Sequence, residues 1–189
     1  LDEDKQMRTV YVFRLKPVGS PLRRPQDFSD SPTPPKHEGT AKKVPLENHT
    51  VSKFSTPAST PEIAEKREQA LVEKFSVELT RRDHQLSRWM ITPPASVCPL
   101  YSDIFDETTG VLYEAKAEAT RNNIRMGLGQ LLDYKRYTPK SVKEFSLLLP
   151  TEPHADLQDL LISQGFGAVW PDPREGVFVR LTSNGVERF

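Results

Sequence analysis

The spacing of apolar positions changes several times along the chain, and each change marks an element. From Pro61 to about Arg82, Ala64, Leu71, Val72, Phe75 and Leu79 recur at helical spacing. Thr60 can cap this helix, with Pro61 at its first position. A strand is expected over 100–105, then a turn at Glu107-Thr108-Thr109-Gly110 and a second strand over 111–117. A second helix runs from about Asn122 to Tyr137 and is stopped by Pro139. The apolar run 144–149 reads as a buried strand, and 153–164 as a third helix ended by Gly165. Residues 167–170 and 176–181 read as a closing strand pair. The order αββαβαββ predicts an α/β domain, one mixed β-sheet with helices on its faces.

Upstream the pattern dissolves. Nine of the 17 prolines lie between Pro17 and Pro61, among Ser, Thr, Lys and Asp, so regular structure should be sparse there. Such a stretch buries too little surface to offset its ordering entropy unless it lies on another surface. Ahead of it, residues 9–15 are β-branched and aromatic and read as a strand. An isolated strand cannot stand alone, so it joins the main sheet or belongs to an upstream one. The expected organisation is a strand and proline-rich arm or linker over 1–60 and a folded domain over 61–189.

Composition narrows the classes. A chain of 189 residues allows one domain plus an appendage. Lys plus Arg and Asp plus Glu are both 26, which excludes a histone-like polycation and leaves room for a local basic groove. The single cysteine excludes a disulfide framework and a thiolate zinc cluster. No apolar run is long enough to span a membrane, and no signal-peptide pattern opens the chain. It reads as a cytoplasmic piece of a longer protein.

The chemistry concentrates on the hairpin. Glu114 and Lys116 are two apart on a strand and project from one face. If 107–110 form a four-residue loop with Gly110 left-handed, Asp106 pairs with Val111 and Asp103 falls opposite Glu114. Two facing carboxylates repel unless something neutralises them, and hard oxygen ligands of this kind suit Mg²⁺. With Lys116 beside them to hold a water or a phosphate oxygen, the set fits metal-assisted hydrolysis of a phosphodiester. The same alternation also fits a solvent-facing hairpin with no chemistry. Two other acid-x-Lys triplets, Glu3-Lys5 and Asp133-Lys135, carry less: one opens the chain, and the other lies on a helix, where such positions point apart.

Asp103 and Glu114-x-Lys116, followed by a helix bearing Gln130-x-x-x-Tyr134, resemble the PD-(D/E)xK nuclease superfamily, whose restriction-endonuclease-like fold has an αβββαβ core. The likeness covers roughly 61–181. It implies that Asp103 and Glu114 bind Mg²⁺, with Mn²⁺ able to substitute, and that Lys116 activates or orients the attacking water. It also implies that Gln130 and Tyr134, on one helix face, hydrogen-bond the lysine or a phosphate. Ser102 stands where the motif has proline. An acid from the first helix approaches the metal in many members, and Glu68, on the face of Leu71 and Phe75, is the candidate. It could equally sit at the rim paired with a base.

The resemblance makes the expected activity Mg²⁺-dependent DNA cleavage, as part of a restriction or defence enzyme. A homodimer and an upstream DNA-reading domain go with that reading. A structure-specific repair or recombination nuclease is the alternative, and a nucleic-acid-binding module without turnover the alternative of another class. Phosphate contacts would come from Arg121, Arg125, Lys135 and Arg136, each of which could instead be ordinary helix surface. The four histidines share no metal-ligand spacing. Trp89 and Trp170 are expected as core or rim anchors, and Cys98 as a buried small hydrophobe. Gly127 and Gly129 each cost the second helix about 1 kcal/mol relative to Ala. They point either to close packing on the sheet or to room for a nucleic-acid backbone or a second subunit.

Overall fold

The 22-residue helix α1 (Thr60–Arg81) buries Leu71, Phe75 and Leu79, three of its regularly spaced apolar side chains, against one face of a β-sheet. The computed structural model describes residues 39–46, 60–94, 96 and 98–189, with side chains from Glu62 onward in α1. The expected strand 9–15 and most of the proline-rich arm lie outside the described residues.

After α1 come β2 (Leu86–Thr92), β3 (Leu100–Tyr101), β4 (Ile104–Asp106), β5 (Val111–Ala115), α2 (Arg121–Lys135), β6 (Glu144–Leu148), α3 (Ala155–Ser163), β7 (Gly167–Asp172), β8 (Val177–Thr182) and β9 (Gly185–Arg188). Before α1, β1 (Thr40–Pro45) pairs antiparallel with β2. Among the described residues these form one nine-stranded mixed sheet in the order β1-β2-β4-β5-β6-β7-β8-β9, with β3 also on β2. The pairs β5–β6 and β6–β7 are parallel, so each needs a crossover, and α2 and α3 supply them. The α/β class and the helices therefore agree with the periodicity.

The sheet is covered on both faces, as a parallel core requires. Val111, Tyr113 and Ala115 point towards α1, together with Ile104 and Leu148. Leu112, Phe105 and Leu147 point the other way, into a cluster with Ile124, Leu128 and Leu131 of α2 and Leu157 and Leu161 of α3. Glu114 shares the Leu112 face by strand alternation. Trp89 and Trp170 are both buried in that second cluster, as anchors should be.

Three features depart from expectation. Strands β1, β2 and β9 were not anticipated; β1 sits inside the stretch expected to lack regular structure. The strand expected over 100–105 is broken. Met90 pairs with Tyr101 but Ser87 with Phe105, so 101–105 carries one residue more than the strand it faces, a β-bulge at Ser102 and Asp103. There the Ser102 hydroxyl accepts the Trp89 N–H at 2.9 Å in place of a main-chain carbonyl. Cys98, expected in the core, is exposed, because it lies in the proline-flanked connection between β2 and β3 and not on a strand.

Candidate active site

The β4–β5 hairpin sets the site. Asp106 pairs with Val111, and Gly110 closes the four-residue loop at φ +80°. A Cβ there would stand 2.9 Å from the Ser141 carbonyl oxygen, so both the backbone angle and the space call for glycine. Two steps back from Phe105, the bulge turns Asp103 onto the β5 backbone, where its Oδ2 accepts the Ala115 N–H at 2.7 Å.

Glu114 and Lys116 lie at the floor, almost wholly buried. Lys116 Nζ donates to Glu114 Oε1 at 2.9 Å and to the Ala115 carbonyl at 2.7 Å. Glu114 Oε2 is buried and makes no well-formed hydrogen bond, with the Tyr134 hydroxyl close by. From α1, Glu68 Oε1 accepts the Ala117 N–H at 2.9 Å, just past the end of β5. These side chains line a cleft of about 340 Å³ together with Gln130 of α2. Gln130 Oε1 is a second buried acceptor without a partner. Tyr134, one helical turn further on, donates its hydroxyl to the Tyr101 carbonyl at 3.3 Å and ties the short strand β3 to α2.

The electrostatics follow from this crowding. Burial, and then the neighbouring Asp103 charge, push the Glu114 carboxyl up to about 8, against the pull of Lys116. Burial also raises Asp103, partly offset by the Ala115 N–H and by Lys116. The Tyr134 hydroxyl is driven upward by burial and by the charges of Glu114 and Asp103.

Asp103, Glu114, Lys116, Gln130 and Glu68 therefore converge, and Tyr134 stands behind them. The four basic candidates do not line the cleft. Arg121 pairs with Asp156, Arg136 with Asp133 at 2.8 Å, and Lys135 lies over the Phe145 and Phe166 rings. Arg125 is exposed on α2. Sequence reasoning missed six lining residues: Glu65, Gln69 and Arg88, and with them Leu46, Val72 and Tyr101. Glu65 was within reach, being three residues before Glu68 and so on the same helix face. Arg88 was not, because its strand was not anticipated.

Comparison with protein family models, with curated proteins and with solved structures finds no match.

Do these residues suit a metal ion? Among the described residues, no three His, Cys, Asp or Glu side chains form a ready-made metal cage. Mg²⁺ does not need one: it keeps several waters and is held by one or two carboxylates together with substrate phosphates. Glu65, Glu68, Asp103 and Glu114 face only Arg88 and Lys116 in the cleft. The surplus of carboxyl groups over cationic ones, and a buried Glu114 oxygen without a well-formed hydrogen bond, suit a hard cation that holds them ionised. Asp103 and Glu114 are the residues that would hold it, with Glu68 alongside.

Proposed function

We propose that the chain is a Mg²⁺-dependent nuclease domain that hydrolyses DNA phosphodiester bonds on a restriction-endonuclease-like scaffold. The observation that carries the reading is the Glu114 carboxylate: one oxygen on Lys116, the other buried without a well-formed hydrogen bond, with Asp103 and the Tyr134 hydroxyl close by. Supporting it, α1, β2, β4, β5, α2 and β6 occur in the αβββαβ order of that scaffold, with the two-residue β3 inserted between β2 and β4. The strand β2, absent from the sequence reading, completes the order.

Once ionised, the carboxyls of this cleft repel a phosphate backbone unless a cation lies between, so substrate and metal bind together. When bound, the ion supplies charge neutralisation at the phosphate and acidifies water. The chain's own groups supply the rest. An ammonium carries three donors, and Lys116 commits two to Glu114 and Ala115, which leaves one for the attacking water or a phosphate oxygen. Gln130 offers its amide at the same cleft. A restriction or defence context, cleaving duplex DNA, fits the expectation carried by the resemblance.

One observation favours a binding module of the same fold without turnover. Lys116 is held on two sides at the floor, a structural role a silent domain would also use. The deciding assay is nicking of supercoiled plasmid and of branched oligonucleotides with Mg²⁺, with Mn²⁺ and with chelator. Metal-dependent cleavage that Asp103→Asn abolishes supports the nuclease. DNA binding of equal strength in both proteins, with no cleavage of either substrate, leaves the binding module.

A further inference from the structure

The acidic cleft carries apolar groups for which a metal and a phosphate alone have no use. Tyr101, Leu46 and Val72 line it beside the carboxyls. Tyr101 is 41% exposed, although it stands only two residues before Asp103. Its backbone is fixed, since it pairs with Met90 and its carbonyl accepts the Tyr134 hydroxyl. Its ring is held as well: the Arg88 guanidinium lies over it, 4.6 Å from the centroid. An aromatic ring held at rest and open to a cleft offers a flat partner a stacking surface at little entropic cost.

The surroundings say what that partner is. Arg88 also lines the cleft, and its charge reaches Asp103, where it favours the ionised carboxyl. Ring, cation and candidate metal-binding acid are therefore neighbours, and a nucleotide uses all three: its base on Tyr101, its phosphates towards Arg88 and the metal. Such a base must be free of its own stack. In an intact duplex the faces of each base are covered by the bases above and below it. The floor of the cleft gives the same answer. Glu114 and Lys116 are 4% and 5% exposed, at the bottom of a cleft of about 340 Å³. That lies near the low end of small-ligand sites, roughly 300–1,000 Å³, which admit a nucleotide and not a double helix.

We infer that Tyr101 is a stacking platform for an unpaired base, so that the strand bound in this cleft is single or locally unstacked at the reacting nucleotide. The inference rests on the proposed phosphodiester reading for the phosphate beside Asp103, and goes beyond it by fixing the form of the substrate. Duplex DNA then reacts only as far as it gives up that nucleotide from its stack, which mismatched or already single-stranded positions do most readily.

Fluorescence anisotropy of the full chain with a labelled single-stranded oligodeoxynucleotide and with its blunt duplex reads binding, with Ca²⁺ in place of Mg²⁺ as the hard cation. The single strand should bind about tenfold more tightly than the duplex. Tyr101→Leu keeps apolar bulk and removes the π face. It should weaken the single strand about tenfold and leave the duplex unchanged, while Tyr101→Phe binds as wild type does. A strand of abasic sugar phosphates should bind wild type and Tyr101→Leu equally weakly. Duplex bound as tightly as single strand, or a Tyr101→Leu chain that holds the single strand as well as wild type, overturns the inference. So does a Tyr101→Phe chain as weak as Tyr101→Leu. Plasmid nicking with Mg²⁺ on the same proteins keeps the two readings apart. Cleavage that persists with no effect of Tyr101→Leu on binding sinks the stacking role and spares the nuclease. Base-dependent binding by a wild type that cuts nothing supports the stacking role and sinks the nuclease; a chain that binds no DNA overturns both.

Discussion

Gly127 of α2 and Lys116 after β5 share one space: a Cβ on the glycine would stand 3.0 Å from Lys116 Cε and 2.6 Å from Leu147 Cδ2. The stem of the candidate catalytic lysine thus passes under the helix only because that helix position has no side chain. Its ammonium is delivered to Glu114 by the same packing.

Gly127→Ala and Gly129→Ala are therefore expected to act in opposite directions. Both gain about 1 kcal/mol of helix propensity. At Gly127 the overpacking, typically about 1–3 kcal/mol, cancels or exceeds the gain. The displaced Lys116 should also lower cleavage. At Gly129 no collision opposes the gain, so the melting temperature rises and activity per folded chain is unchanged. Paired denaturation curves and nicking assays check both. Equal stabilisation by the two substitutions would contradict the packing described.

The raised Glu114 carboxyl sets a pH dependence for the metal-free protein. Its folded pKa, about 8, lies above the ordinary value of 4.5. Between those two the unfolded chain loses the proton first, so stability is greatest below about 4.5 and declines as pH rises to about 8. Asp103, raised by burial, acts in the same direction. Glu78 acts oppositely and on the acid side: its bonds to Arg81 and Arg82 hold it down at about 2, and the stability it adds is lost as pH falls from 4.5 towards 2. Melting temperatures measured in chelator should thus fall from weakly acid to weakly alkaline pH, with Mg²⁺ restoring them at the alkaline end. Glu114→Gln should flatten most of the slope; a slope unchanged by it would place the titration elsewhere.

Much of the site was legible because one local device sets it. Glu107-Thr108-Thr109-Gly110 specifies a loop length, and the loop length specifies the register from Asp106–Val111 to Ile104–Tyr113. Asp103 comes next, but a bulge and not the ladder turns it onto the Ala115 N–H beside Glu114. What stayed hidden depends on contacts far apart in sequence. The segment Leu86–Thr92 alternates in burial, yet Ser87 occupies an inward position and Met90 a half-buried outward one, so its apolar pattern does not alternate cleanly. The edge strand β1 has no fully buried side chain and owes its place to pairing with β2. The bulge exists because the Ser102 and Asp103 side chains replace ladder bonds, which no periodicity reports. Of the three unexpected strands, β9 alone carries a local signal: the Asn184-Gly185 turn, with Gly185 at φ +124°, is a hairpin mark.

That bulge gives a prediction of its own. Ser102 is buried, and its hydroxyl is the acceptor for the Trp89 N–H in the middle of β2. Ser102→Ala leaves that N–H without a partner inside the sheet, at a cost of about 1–3 kcal/mol. The main-chain bond from Ser102 N–H to the Trp89 carbonyl remains, so the strands should stay paired. The expected result is a clear fall in denaturation midpoint with native circular dichroism, and a loss of cleavage because Asp103 is no longer held at Ala115. Unchanged stability would mean that the hydroxyl is not the acceptor.

Asp103→Asn tests the site with the fold kept intact. The asparagine carbonyl can still accept the Ala115 N–H, so the bond that holds this residue to β5 survives. Its negative charge disappears, and with it one of the two main causes of the raised Glu114 carboxyl. In chelator at weakly alkaline pH the variant should therefore be more stable than wild type, by about 1 kcal/mol. Its cleavage should vanish, and so should the rise in melting temperature that Mg²⁺ gives the wild type. A structural carboxylate predicts the reverse on every count: a destabilised chain, activity lost only in proportion to folding, and no response to metal in either protein. Calorimetry with and without Mg²⁺, read beside the nicking assay, separates the two, because an acid held in place for metal chemistry costs stability where an acid held for structure supplies it.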